Sequence, residues 1–284
     1  MKDVEIREIG EIGESGRERV GAIIREVANE TVLRHFRALE KAGVREKGPN
    51  DFVTLADVEC EQALGERLLA AYPGTAVLGE EAVAAEPGLM RRLGEEKPLW
   101  VLDPIDGTIN FAHGRPGFAS IVALIVGGRT EAGWIHDPLA EETVAAVRGH
   151  GAWSGGKRLA AAKGVALSRM IGSAYGAGAG NILAERALAE SGRIGSVANR
   201  LCGGVEYIDF AKGRRHFMLS SRSLPWDHAA GVLIASEAGG IARFLDGSAY
   251  DPALSEKRVL VAPDEASWRE LQALVVAPEP RGKR

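Results

Sequence analysis

Trp100–Phe111 reads WVLDPIDGTINF, and this run decides how the chain is built. It opens as an apolar strand and ends with two carboxylates, Asp103 and Asp106, placed around Pro104 and Ile105. Aspartate is depleted from strand interiors, and Asp-Pro-Ile-Asp-Gly is a chain-reversal sequence. The expectation is a buried strand, Leu99–Leu102, that stops at Asp103 and delivers both acids to the crevice at its carboxyl end. Like charges that close repel unless a positive group neutralises them, and a divalent cation with oxygen ligands is the usual solution. The same residues also fit an Asx-rich turn whose acids are solvated.

A chain of 284 residues has room for one large domain or two smaller ones. Its 45% hydrophobic content, with no low-complexity tract, describes an ordinary compact protein. A formal net charge of -4 argues against a nucleic-acid partner, whose surfaces are basic overall or in stripes. The one basic cluster, Arg281–Arg284, is a terminal tail. Cys60 and Cys202 are too few and too far apart for a disulfide framework, which suits a reducing cytoplasm; Cys60 reads as a small buried hydrophobe. MKDVEIREIGEIG has no basic region leading into an apolar core, so no signal peptide is expected. No stretch approaches the run of about 18 apolar residues that a membrane span requires.

Helical spacing from Gly16 to Leu39 (Val20, Ile23, Ile24, Val27, Phe36, Leu39) predicts one long amphipathic helix. A turn at Gly48–Asn50 precedes a second helix marked by Val58, Leu64, Leu68 and Leu69 and closed by Pro73-Gly74. TAVLGEE is a short strand ending at Glu80 and Glu81, and Glu86–Lys97 reads as a surface excursion. Ser120–Val126 and Thr130–Ile135 flank Gly127-Gly128-Arg129 as a hairpin, and Thr143–Val147 and Ala152–Ser154 form another. Beyond Gly164 short strands and helices alternate: Met170–Tyr175, a helix near Ile182–Glu190, a segment Val205–Ala211, a strand His216–Leu219, a helix Trp226–Ala238, strands Ile241–Phe244 and Arg258–Val261, and a last helix Glu265–Leu274. This is a mixed α/β chain, divided as an N-terminal part, 1–155, with the antiparallel sheet, and a C-terminal part, 156–284.

Glu80, Asp103, Asp106 and Asp227 all lie at the ends of apolar elements rather than on solvated faces. Asp227 in LPWDHAAG also suits simple capping of the helix it opens, and Asp57 is a similar case in which Thr54 competes for the cap. Together the acids support a hard cation such as Mg²⁺, since no His/Cys cluster has zinc spacing. His113 reads as a loop residue outside the ligand set. Gly107 and Thr108 follow the acids with backbone N–H groups apt for a phosphate oxygen. Metal-assisted hydrolysis of a phosphate ester is the chemistry implied. A P-loop NTPase and a serine acyl transferase lack their motifs.

DFVTLAD (Asp51–Asp57), LGEE (Leu78–Glu81), WVLDPIDGTINF and PWDHAAGVLIASEAGG (Pro225–Gly240) resemble, in order and spacing, the inositol monophosphatase family of Mg²⁺-dependent, Li⁺-sensitive phosphatases. GHGAWSGGKRL (Gly149–Leu159) resembles that family's hairpin, so the likeness runs from Val20 to Val275. It implies a layered αβαβα sandwich of the inositol monophosphatase and fructose bisphosphatase type, commonly dimeric. It also implies that Glu80, Asp103 and the Ile105 carbonyl hold one Mg²⁺, that Asp103, Asp106 and Asp227 hold a second, and that Glu80 touches a weaker third. Thr108, with Asp57 behind it, would orient or deprotonate the water, and the amides of Gly107 and Thr108 would seat the phosphate.

Two departures concern the substrate. Where members that hydrolyse inositol phosphates carry an acid seven positions before the last metal aspartate, this chain has Ser220. Where members commonly read Gly-Ser-Ala-Ala, it has Leu201-Cys202-Gly203-Gly204, placing Gly203 on the substrate wall, with Glu206 nearby as a replacement acceptor. The expected substrate is a small phosphorylated metabolite, inositol 1-phosphate by family default. Histidinol phosphate, a sugar bisphosphate and a 3′-phosphoadenosine nucleotide are the alternatives, and Leu-Pro-Trp-Asp resembles the histidinol-phosphatase branch. A regulatory protein that keeps the fold but not the catalysis is the other class.

Overall fold

The computed structural model describes residues 13–37, 45–48, 51–175 and 188–276. A short antiparallel hairpin, β1 (Arg45–Gly48) and β2 (Asp51–Val53), precedes a seven-stranded sheet. In that sheet β3 (Ala76–Gly79) lies parallel to β4 (Leu99–Asp106). From β4 the chain meanders antiparallel through β5 (Ala119–Val126), β6 (Arg129–Asp137), β7 (Glu142–Val147), β8 (Gly151–Ser154) and β9 (Lys157–Arg158). A five-stranded sheet follows, built from β10 (Ile171–Tyr175), β11 (Ser196–Val197), β12 (Phe217–Ser220), β13 (Ile241–Phe244) and β14 (Val259–Ala262) in the order β11-β10-β12-β14-β13.

Alternation along the strands decides what covers each face. Trp100, Leu102, Val122 and Trp134 point to one side of the larger sheet. There they meet α1 (Glu14–Glu30), α2 (Val32–Phe36) and α3 (Leu55–Ala71) through Val20, Ile24, Leu64 and Leu68. α4 (Glu80–Ala85) and α5 (Thr108–Ala112) start at the ends of β3 and β4. Val101, Ile121 and Ile135 point to the other side, against α6 (Gly203–Ala211) and α7 (Pro225–Glu237), whose far side packs on Met218 and Val261 of the smaller sheet. Phe217, Leu219 and Leu260 then bury Trp268 and Leu271 of α8 (Glu265–Val276). The layers are helix, sheet, helix, sheet, helix, as the family resemblance implied. No described helix is long and apolar enough to cross a membrane.

Several expectations need correction. The helix predicted over Gly16–Leu39 breaks at Thr31, whose hydroxyl donates to the Val27 carbonyl at 2.7 Å, a back-bond that bends helices; Leu39 lies outside the described residues. In α3, Val58 and Leu69 are 49% and 41% exposed, and the buried stripe runs instead through Ala56, Cys60, Leu64 and Leu68. Glu86–Lys97 is the surface excursion expected, and within it a 3-10 helix, Pro87–Gly94, buries Leu93. The helix near Ile182–Glu190 falls outside the described residues up to position 187.

Candidate metal centre

β4 does not stop at Leu102. Asp103 pairs with Ile121 and Asp106 with Ala119, so three steps along β4 match two along β5 and one extra residue is inserted as a β-bulge. In a regular strand, residues three apart face opposite ways; the extra residue returns Asp106 to the face of Asp103. Pro104, which has no N–H to give the ladder, sits in the bulge, and its carbonyl accepts the Ser120 hydroxyl at 2.7 Å. The run that reads as a chain reversal is therefore a bulged strand end that presents both acids on the side of α6 and α7.

Glu80 arrives from the parallel neighbour β3 as the first residue of α4. The Glu61 carboxylate of α3 accepts the N–H groups of Glu81 and Ala82 at 2.8 and 2.9 Å, capping α4 from below. A Cβ at position 79 would fall inside that carboxylate, so any side chain there would push Glu61 off the α4 amides. Asp227 arrives from the opposite layer, in the first turn of α7 behind Pro225. One carboxylate oxygen each from Glu80, Asp103 and Asp227 lies within 4.8 Å of the others.

Asp103 is 2% exposed, and its Oδ1 is buried without a hydrogen-bond partner among the described residues. Burial, then the charges of Glu80, Asp106, Asp227 and Asp57, pushes its carboxyl well above the usual range. A converging set of oxygen donors around one orphaned buried oxygen fits a hard divalent cation, and the excess negative charge calls for one.

Asp106 is fixed differently. Its Oδ2 accepts the Gly204 N–H at 2.5 Å and the Cys202 thiol at 3.1 Å. Burial raises its carboxyl, while the hydrogen bonds from Gly204, Cys202, Gly107 and Gly203 hold it back. Gly107 adopts φ 84°, and a Cβ there would lie 2.6 Å from the Gly117 carbonyl, so this position excludes a side chain on two counts. Thr108 donates its hydroxyl to the buried Ile105 carbonyl at 2.9 Å. Asp57 is buried at the head of α3, where a reciprocal cap forms: its Oδ2 accepts the Thr54 N–H at 2.8 Å and the Thr54 hydroxyl at 2.6 Å. Thr54 is thus the cap and Asp57 its partner, not its competitor.

The expected substrate wall has other engagements. Ser220 is buried in β12 and accepts the Val259 N–H at 3.2 Å. Glu206 is fully buried and paired with Arg215 at 3.1 Å. Gly203 is buried at the start of α6, one residue from the anchor of Asp106. Two supports escape sequence reading. Glu61 is one polar residue among several on α3, its only trace being the glycine that LGEE requires, and Cys202 gives no signal beyond an altered wall motif.

Three helix layers and two sheets, with carboxylates gathered at the strand ends, are the αβαβα sandwich that the sequence resemblance implied. Residues 15–279 match the model of the inositol monophosphatase family, and the chain belongs to that family. An inositol-1-monophosphatase of Mesorhizobium japonicum is 35% identical over 234 residues, covering 78% of this chain and 82% of that one. A Nus factor SuhB of Pseudomonas aeruginosa is 34% identical over 228 residues, with 78% and 82% covered. Among solved structures, an IMPase of Thermotoga maritima superposes with a TM-score of 0.79 at 26% identity, covering 91% of this chain and 95% of that one.

Proposed function

We propose that this chain is a Mg²⁺-dependent phosphomonoesterase acting on a small phosphorylated metabolite. The observation that carries the reading is the meeting of Glu80, Asp103 and Asp227 within 4.8 Å around a buried carboxylate oxygen without a partner among the described residues. Glu80, Asp103 and the Ile105 carbonyl would hold one ion, and Asp103, Asp106 and Asp227 a second. Bound there, Mg²⁺ supplies the charge that polarises a phosphoryl group and lowers the pKa of water. Thr108, its hydroxyl already directed at the Ile105 carbonyl, would orient the attacking water, with Asp57 as the partner that the family resemblance implies. The amides of Gly107 and Thr108 would seat phosphate oxygens, and the bulge keeps Asp103 and Asp106 on one face.

Inositol 1-phosphate is the family default, yet the Ser220 hydroxyl and the Glu206 carboxylate are occupied inside the protein. Losing a carboxylate acceptor for substrate hydroxyls weakens polyol recognition by about 1.5–3 kcal/mol. A panel of inositol 1-phosphate, histidinol phosphate, a sugar bisphosphate and a 3′-phosphoadenosine nucleotide, assayed with Mg²⁺, ranks the candidates. Inositol 1-phosphate leading by a wide margin would refute the reading of Ser220. Absence of Mg²⁺-dependent phosphate release from every ester would refute the phosphatase. A regulatory role is the second reading, favoured by the likeness to a Nus factor SuhB; an Asp103→Asn variant that still complements a deletion strain would support it. A homodimer is the assembly proposed, and light scattering at the mass of one chain would exclude it.

A further inference from the structure

A buried charged cluster lies behind the wall that carries Cys202 and Gly204. Glu206 Oε1 accepts the backbone N–H of Arg200 at 2.9 Å. Its Oε2 accepts the Ser173 hydroxyl and lies 3.1 Å from Arg215 Nε. Arg215, only 6% exposed, donates Nη2 to the Ala198 carbonyl. One ion pair thus grips the 198–202 segment at two points. The Arg200 carbonyl is tied in turn to Asn110 Nδ2 at 2.9 Å, and the same amide donates to Gly117 at 2.8 Å beside Gly107.

What the grip holds is an unfavourable conformation. Leu201 adopts φ 59°, a left-handed backbone that a branched side chain disfavours, with its N–H donated to Asn199 Oδ1 at 2.7 Å. Residues held in so sparsely populated a backbone state persist only where their surroundings over-determine them. Directly after Leu201, the Cys202 sulfur caps α6 by accepting the Val205 N–H at 3.5 Å. Cys202 and Gly204 then donate to Asp106 Oδ2.

We infer that Glu206 and Arg215 are positioning residues for Asp106: their buried pair holds the left-handed turn at Leu201, and that turn aims the two donors that fix the carboxylate. The inference rests on the proposed role of Asp106 as a cation ligand. A buried ion pair is by itself weak evidence of stabilisation, since well-packed apolar residues often replace one without loss. Here the pair is spent on geometry, and Glu206 is a holder of the wall rather than a substrate contact.

The test uses the full chain with Mn²⁺ as probe, read by calorimetry without substrate, and with amide hydrogen exchange as an independent readout. Glu206→Gln is expected to weaken Mn²⁺ binding by about 10–100-fold, as loss of the groups that orient metal ligands does, and to speed exchange at residues 200–204. Leu201→Gly, which takes the left-handed backbone without strain, is expected to return the Glu206→Gln protein to within about threefold of the Leu201→Gly single variant. Unchanged exchange at 200–204 in Glu206→Gln overturns the inference whatever the metal does. A lowered melting temperature with unchanged Mn²⁺ affinity overturns it as well. If Glu206→Gln does not fold alone, the Leu201→Gly background decides, and failure of the double variant to fold and bind there also overturns it. Wild-type protein that binds no Mn²⁺ while exchange responds as expected would refute the cation site and leave the clamp standing.

Discussion

Asp103→Asn should stabilise the metal-free protein while removing its response to Mg²⁺. The carboxylate oxygens of Glu80, Asp103 and Asp227 lie within 4.8 Å, where two ionised groups at an effective dielectric of about 20 repel by about 3.5 kcal/mol. Asp103 already relieves part of this by holding its proton to higher pH, so the net gain on substitution is smaller, about 1–2 kcal/mol. For a chain of this size each kcal/mol moves the melting temperature by about 2–4 °C. Wild type should melt below Asp103→Asn in EDTA, then overtake it in excess Mg²⁺, since about 100 Kd of ligand contributes about 2.7 kcal/mol. The pH dependence has a definite sign. A carboxyl whose folded pKa is raised contributes stability that is present below the unfolded pKa and lost as pH rises through the folded value. Metal-free wild type should therefore lose stability as pH rises above the ordinary carboxylate range, and Asp103→Asn should flatten that slope. Scanning fluorimetry in EDTA and in Mg²⁺ across this pH window reads all three effects. An Asp103→Asn protein that melts below wild type in EDTA, or that Mg²⁺ stabilises as strongly as wild type, would refute the reasoning.

Gly79→Ala should push Glu61 off the head of α4 and strand the Glu81 and Ala82 N–H groups, costing about 1–3 kcal/mol by denaturant unfolding. It should also weaken Mg²⁺ binding about tenfold through Glu80, and unchanged calorimetry would reject the support assigned to Glu61. Thr54→Ala removes the cap of α3 and a hydrogen bond to Asp57, for an expected loss of about 0.5–2 kcal/mol; urea titration that finds no change would contradict the reciprocal cap. Burial pushes the Cys60 thiol up to about 12 and raises the Cys202 thiol well above its ordinary value, so neither should react with a thiol reagent at pH 8 until the chain unfolds. Rapid labelling of native protein would show that one of them is accessible.

The strands around Trp100 and the two hairpins are legible because apolar runs bounded by glycine turns admit few other structures. The acids of the centre are legible as types at element ends, but their convergence is not. Asp103 and Asp106 are three apart, an odd spacing that ordinary alternation would split between faces, and only the bulge at Pro104 reunites them. Asp227 lies more than a hundred positions further on, and periodicity says nothing of which layer it enters; the family likeness supplied that pairing. Glu206 marks a harder limit. A glutamate in the first turn of an apolar helix reads equally well as a substrate contact or a buried partner, and the choice depends on Arg215, whose position in the fold no local pattern gives. Thr31 failed for a local reason, a hydroxyl able to bond either water or the carbonyl four residues back.

Phosphate release by EDTA-stripped protein, measured while Mg²⁺ is added back, tests the carboxylate centre most directly. The acids at the ends of β3, β4 and at the head of α7 require no turnover of any small phosphate ester in EDTA, saturable recovery with Mg²⁺, and none in Asp103→Asn. Turnover that persists in EDTA, or an Asp103→Asn protein as active as wild type, would contradict a metal-dependent site built on these residues.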